Sequence, residues 1–198
     1  MSRRISWYRC LPFLVLAAGL VAATPGGAMS LVLTDRDREQ AIRAGKKSIV
    51  AEEFGGEWRV KDAAGQTLTV MTPFHRLALA ARNSAFQSKE LKPKDVESVL
   101  KGSEGTLAFR VTLRGGKADF ARFYTPELLA GSQTVRASFV QNERTPLVQD
   151  DGRLAARNVY VFPLEGLPMN GAVTLVVRGA PPDQKEVLRA KIDLGKFR

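Results

Sequence analysis

The chain of 198 residues contains one cysteine, Cys10, and one histidine, His75. A single cysteine excludes an intrachain disulfide and a thiolate cluster, and a single histidine excludes a multi-histidine metal site. No serine lies in a GxSxG turn, so nucleophilic hydrolysis lacks its usual parts. The glycine pairs Gly55-Gly56 and Gly115-Gly116 belong to neither a GxGxxG nor a P-loop pattern. These absences call for no cofactor and no metal. Long apolar runs are scarce as well. Leu11 to Ala23 falls short of the ~20 helical residues that cross a hydrocarbon core.

What is present begins with that short run. Arg3, Arg4 and Arg9 precede it, and the small and turn-forming residues Thr24 to Ala28 follow it. A positive start, a short apolar middle and a small-residue exit form a secretory signal peptide. Residues 1–28 are therefore read as a Sec leader, with cleavage after Ala23 or, preferably, Ala28. Ser6 and Trp7 stand where a twin-arginine signal needs large apolar residues. Cys10 opens the apolar run rather than closing it, which does not suit lipoprotein processing. The expected location is the periplasm or the exterior of the cell, with no transmembrane helix left after cleavage.

The formal charge is +10, and the leader accounts for only three of the basic residues. Such a surface attracts phosphates and anionic headgroups. Export separates the chain from most nucleic acid, and its aromatic residues are not interleaved with basic ones as stacking readers require. The expected partner is an envelope protein or an anionic glycan or lipid, and nucleic acid is not expected. Hydrophobic content of 44% against 25% charged residues indicates a packed core rather than disorder.

Thr34-Asp35-Arg36-Asp37 predicts a helix start over a charged segment that runs to about Ala44, with Gly45 as its terminator. Residues 57–61 and 67–71 read as a hairpin with one buried face. Thr72 and Pro73 then open a helix whose stripe is Phe74, Leu77, Ala78, Ala81 and Ala85. Another short helix is expected from Pro93 to Lys101. Beyond 105 the period falls to two. Leu107, Phe109, Val111 and Leu113 alternate with polar or small residues, and Gly115-Gly116 suggests a tight hairpin pairing Val111 with Phe120 and Leu107 with Tyr124. That register sets Arg122 beside Phe109 on the apolar face, which demands a bulge or a partner for Arg122.

Further strands are predicted at 133–140, 145–149, 154–162, 172–178 and 186–194. Their inward sets are Val135, Ala137 and Phe139; Val173, Leu175 and Val177; and Leu188, Ala190, Ile192 and Leu194. Phe123 would face outward beneath the 73–86 helix. The expected architecture is mainly β with α (α+β): an antiparallel immunoglobulin-like β-sandwich over 105–198, preceded by a helical segment with a short hairpin over 29–104. Trp58-Arg59-Val60, the helix entry from Thr72 to Arg82 and the closing Val173-Thr174-Leu175-Val176-Val177 resemble a group of uncharacterised exported bacterial proteins. That resemblance implies no substrate, cofactor or catalytic residue.

Arg110, Arg114, Arg136 and Arg178 alternate outward on the predicted strands and are the candidate binding residues. On one sheet face they would form a cationic surface for acidic lipid, glycan or protein. No catalytic residue is assigned. The adjacent carboxylates Glu52-Glu53 and Asp150-Asp151 are the alternative, as acid and base of a hydrolase or as calcium ligands. Asp150-Asp151-Gly152 already serves as a turn, and strand neighbours point to opposite sides. His75, at the edge of the helical stripe, reads as a boundary histidine with one local hydrogen bond. The leading functional reading is an exported, non-enzymatic binding or structural accessory protein of the envelope.

Overall fold

The computed structural model describes residues 29–62 and 64–197. Residues 1–28, which read as a leader and include Cys10, lie outside them. Helix α1 (Asp35–Lys47) opens with the Thr34–Asp37 capping box, as the sequence predicts. It continues past Gly45, however. A Cβ there would sit 2.1 Å from the Ala78 carbonyl oxygen, so Gly45 is where α1 crosses α2 (Pro73–Phe86) and not a terminator. Thr72 caps α2 by accepting the His75 N–H at 3.1 Å. Helix α3 (Pro93–Lys101) follows.

Short strands β1 (Arg59–Lys61) and β2 (Thr67–Met71) form the expected hairpin. Strand β3 (Thr106–Gly115) buries Leu107, Phe109, Val111 and Leu113. Its neighbours are β2 on one side and β8 (Leu154–Pro163) on the other. With both edges occupied, β3 has no place for the predicted hairpin partner. Residues 117–123 are turns instead, and neither Gly115 nor Gly116 has a positive φ. The Phe120 ring lies on Gly115, where a Cβ would meet it at 2.4 Å. Arg122 is exposed and needs no bulge. The segment is the crossing to the second sheet, which starts at β4 (Thr125–Ala130), a strand the periodicity did not reveal.

The predicted strand 133–140 is two strands in two sheets. β5 (Gln133–Arg136) pairs with β4, whereas β6 (Phe139–Gln141) pairs with β8. Phe139 is consequently 52% exposed rather than inward, and Phe123 is 64% exposed rather than covered by α2. The dipeptide strand β7 (Leu147–Val148) also joins β8. β9 (Ala172–Arg178) and β10 (Glu186–Asp193) bury the predicted inward residues. The architecture is α+β and mostly strands. One antiparallel sheet runs β1-β2-β3-β8-β6 with β7 beside β6 on β8, and the other runs β10-β9-β4-β5. Phe109, Phe162, Leu128, Leu175 and Ile192 belong to one buried cluster that draws on both sheets.

Candidate functional site

Antiparallel pairing places directly opposed residues on the same face of a sheet. In the first sheet, Arg59 opposes Thr69, Thr69 opposes Arg110, and Arg110 opposes Val159. The next row is Lys61, Thr67, Thr112 and Arg157, and Arg114 opposes Ala155 in the row beyond. Because Phe109, Val111 and Leu113 point into the core, these rows form the outer face. Arg157 faces Thr112 and so lies diagonal to both Arg110 and Arg114, at about 7–8 Å. Five cations and three threonine hydroxyls thus share one solvent-facing surface.

Nothing within the sheet neutralises it. Strands β1, β2, β3, β6, β7 and β8 contain no Asp or Glu. Arg114 is paired with Asp151 at 2.7 Å. Arg59, Lys61, Arg110 and Arg157 have no ion pair among the described residues. Their field is felt nearby. Burial first, and then Arg110, push the Arg76 guanidinium below its ordinary value.

The second sheet is different. Arg136 and Arg178 stand there, so the structure splits the four candidate arginines, with Arg110 and Arg114 on the outer face of the first sheet and Arg136 and Arg178 on a face of the second. Arg136 opposes Glu127, and Arg178 pairs with the same Glu127 at 3.5 Å. Arg189 pairs with Glu186 at 2.7 Å. That surface is a mosaic of both signs. Arg59, Lys61 and Arg157, which outward alternation did not single out, join Arg110 and Arg114. The signal for them was the acid-free composition of those six strands.

A cleft of 610 Å³ adjoins the cationic face, with Arg122, Arg144 and Arg157 in its wall beside Val140, Glu143 and Thr145. The Glu143 carboxylate accepts the Arg157 backbone N–H at 2.5 Å, and the Glu143 N–H donates to Asn158 Oδ1 at 3.0 Å. The cleft thus holds one carboxylate among its three arginines.

The remaining sequence candidates do not converge. His75 is buried between rings, stacked on Trp58 at 4.6 Å with Phe54 at 5.8 Å. Burial, and then the positive charge of Arg110, lower its pKa to about 4, although the Val70 backbone acts in the opposite sense. It is a neutral packing group at neutral pH. The 450 Å³ cleft above this cluster is lined by Phe54, Trp58, Glu53, Glu57 and Lys196, so its mouth carries both signs. Glu52 and Glu53 are exposed in an irregular segment, and Asp150 and Asp151 lie in the turn from β7 to β8. Asp151 accepts the Arg153 N–H at 3.0 Å, and that bond, with Arg114 beside it, holds its carboxyl below the usual range. Among the described residues no group of three or more His, Cys, Asp or Glu could hold a metal ion, and no helix is long and apolar enough to cross a membrane.

No protein-family profile and no curated protein matches the sequence. The chain is similar to a crystal structure described as a novel protein of unknown function from Burkholderia pseudomallei K96243. The two are 13% identical with a TM-score of 0.41, over 83% of this chain and 92% of that one. No family model and no curated protein supports the group of exported bacterial proteins suggested by the sequence.

Proposed function

We propose that the protein is an exported, non-enzymatic binding module of the bacterial envelope that takes anionic ligands, glycan or lipid phosphate, on the outer face of its first sheet. The observation that carries this reading is the contrast between the two sheets. Arg59, Lys61, Arg110 and Arg157 project from acid-free strands without ion pairs among the described residues, whereas the second sheet pairs Arg178 and Arg189 with acids. A single exposed charge pair contributes little, but several cations on one surface raise the local concentration of a polyanion. The leader-like residues 1–28 support export to the periplasm or beyond. Two antiparallel layers suit an immunoglobulin-like recognition scaffold, although function rests on the site and not on the scaffold.

A carboxylate-based hydrolase draws less support, because Asp151 is engaged by Arg114 and by its own turn. The test is association with heparin, as a sulfated glycan, and with vesicles containing phosphatidylglycerol. Binding is expected at low ionic strength and should weaken steadily as salt screens it. Replacing Arg110 and Arg157 together with glutamate should weaken it by at least tenfold, roughly. Binding indifferent to salt, or retained by that variant, would refute the proposal.

A further inference from the structure

Two sheets have four edges, and proteins blunt exposed edges with charge. Edge strand β1 carries Arg59 and Lys61, β5 carries Arg136, and β10 carries Glu186, Arg189, Lys191 and Asp193. The fourth edge is β6 and β7, and it carries no charged residue. It reads Phe139-Val140-Gln141 and Leu147-Val148, with Phe139 52%, Leu147 49% and Val148 71% exposed. Four of the eight large apolar side chains left exposed in the described residues lie on this edge. Single exposed apolar residues are ordinary, but a run of them along unpaired backbone is a template for another strand.

Between β6 and β7 the chain leaves the edge over 142–146 to form the arginine-walled cleft, where Glu143 takes the N–H of Arg157. A strand laid against β6 would therefore run directly into Arg122, Arg144 and Arg157. The arginines also decide which strand can lie there. A second copy of this chain, pairing edge to edge, would bring a cleft of three arginines and one glutamate against its own kind in a basic molecule. An acidic partner meets complementary charge instead.

We infer that the β6 edge takes an extended polypeptide segment as an added strand, with apolar residues along Phe139 and Val140 and carboxylates in the Arg122–Arg144–Arg157 cleft. Main-chain hydrogen bonds would supply affinity, and the alternating side chains with the terminal acids would supply specificity. This rests on the reading of the adjoining face as anion-binding and adds an acidic peptide as the occupant of the edge beside it.

The probe is a labelled, capped peptide of alternating valine and threonine ending in three glutamates. Its controls are the same peptide ending in three lysines, the same peptide with a central proline, and hexaglutamate. Fluorescence anisotropy should show the first peptide binding at least tenfold, roughly, more tightly than every control, with slowed amide exchange at 139–141. Arg144→Glu should weaken it about tenfold. Val140→Pro and, as a milder edge change, Phe139→Lys should abolish it while leaving heparin binding intact. Far-UV circular dichroism establishes that both variants fold.

If heparin or vesicles bind with salt dependence while the glutamate peptide does not, this inference falls and the proposed function stands. If none of the probes binds, both fall. Equal binding of hexaglutamate or of the lysine peptide overturns strand pairing or charge recognition respectively. A dimer in sedimentation that Phe139→Lys dissolves would give the edge to a second copy and overturn the peptide.

Discussion

His75 shows how a histidine becomes a structural group. The side chain is closed in by Trp58 and Phe54, and two arginines stand near enough to oppose a further positive charge. Its folded pKa, about 4, lies below the ordinary 6.5 of a free histidine. As pH falls, the unfolded chain takes the proton before the folded one does. The contribution of His75 is thus complete above 6.5, is lost progressively as pH drops toward 4, and changes no further below that. The difference amounts to about 3 kcal/mol. Urea denaturation at stepped pH should show a fall of this size between pH 6.5 and 4 that is absent in His75→Phe. An unchanged slope in the variant would mean that other groups carry the acid sensitivity. The sequence placed His75 at the edge of the helical stripe. The alternation over 57–61 marked Trp58 as buried, but not its 3₁₀ turn or the Phe54 ring beside His75, because Phe54 lies in an irregular stretch without periodicity.

Among the elements, the crossing of α1 and α2 depends on a missing side chain. In an exposed helix, Gly→Ala gains about 1 kcal/mol of helix propensity. At Gly45 the new methyl would collide with the Ala78 carbonyl and come within 2.9 Å of the Ala81 Cβ, so the helices must separate. Overpacking of this kind costs about 1–3 kcal/mol. Gly45→Ala should accordingly lower the urea midpoint, and a rise would show that the two helices move apart freely. Gly45 and Gly115 were both legible as glycines and both misread as punctuation. Local sequence reports that a glycine permits a turn, but not that another backbone or ring occupies the space its Cβ would fill. The caps fared better. Thr34 with Asp37, and Thr72 with Pro73, act within one turn and need no tertiary partner to be recognised.

At the scale of the molecule, alternation identified inward residues with good fidelity, since burial of every second side chain is a property of one strand. Which strands lie side by side depends on where the chain crosses between sheets, and the turns at 117–123 and the break at 137–138 hide that. Hence Arg136 and Arg178 looked equivalent to Arg110 although they stand on the other sheet. The two outer faces now predict opposite responses to the same mutation. On the first sheet, Arg110 and Arg157 repel each other and their neighbours without ion pairs among the described residues. Replacing both with serine should leave stability unchanged or raise it by a few tenths of a kcal/mol. On the second, Arg189→Ser removes the partner of Glu186 and should lower the urea midpoint slightly. A gain in stability on removing Arg110 and Arg157 would support the proposed anion-binding face, because selection for stability alone would not keep such cations together. If the Arg110/Arg157 double variant instead lost more than about 1 kcal/mol, the two arginines would be props of the sheet, and the case for a ligand on that face would fail.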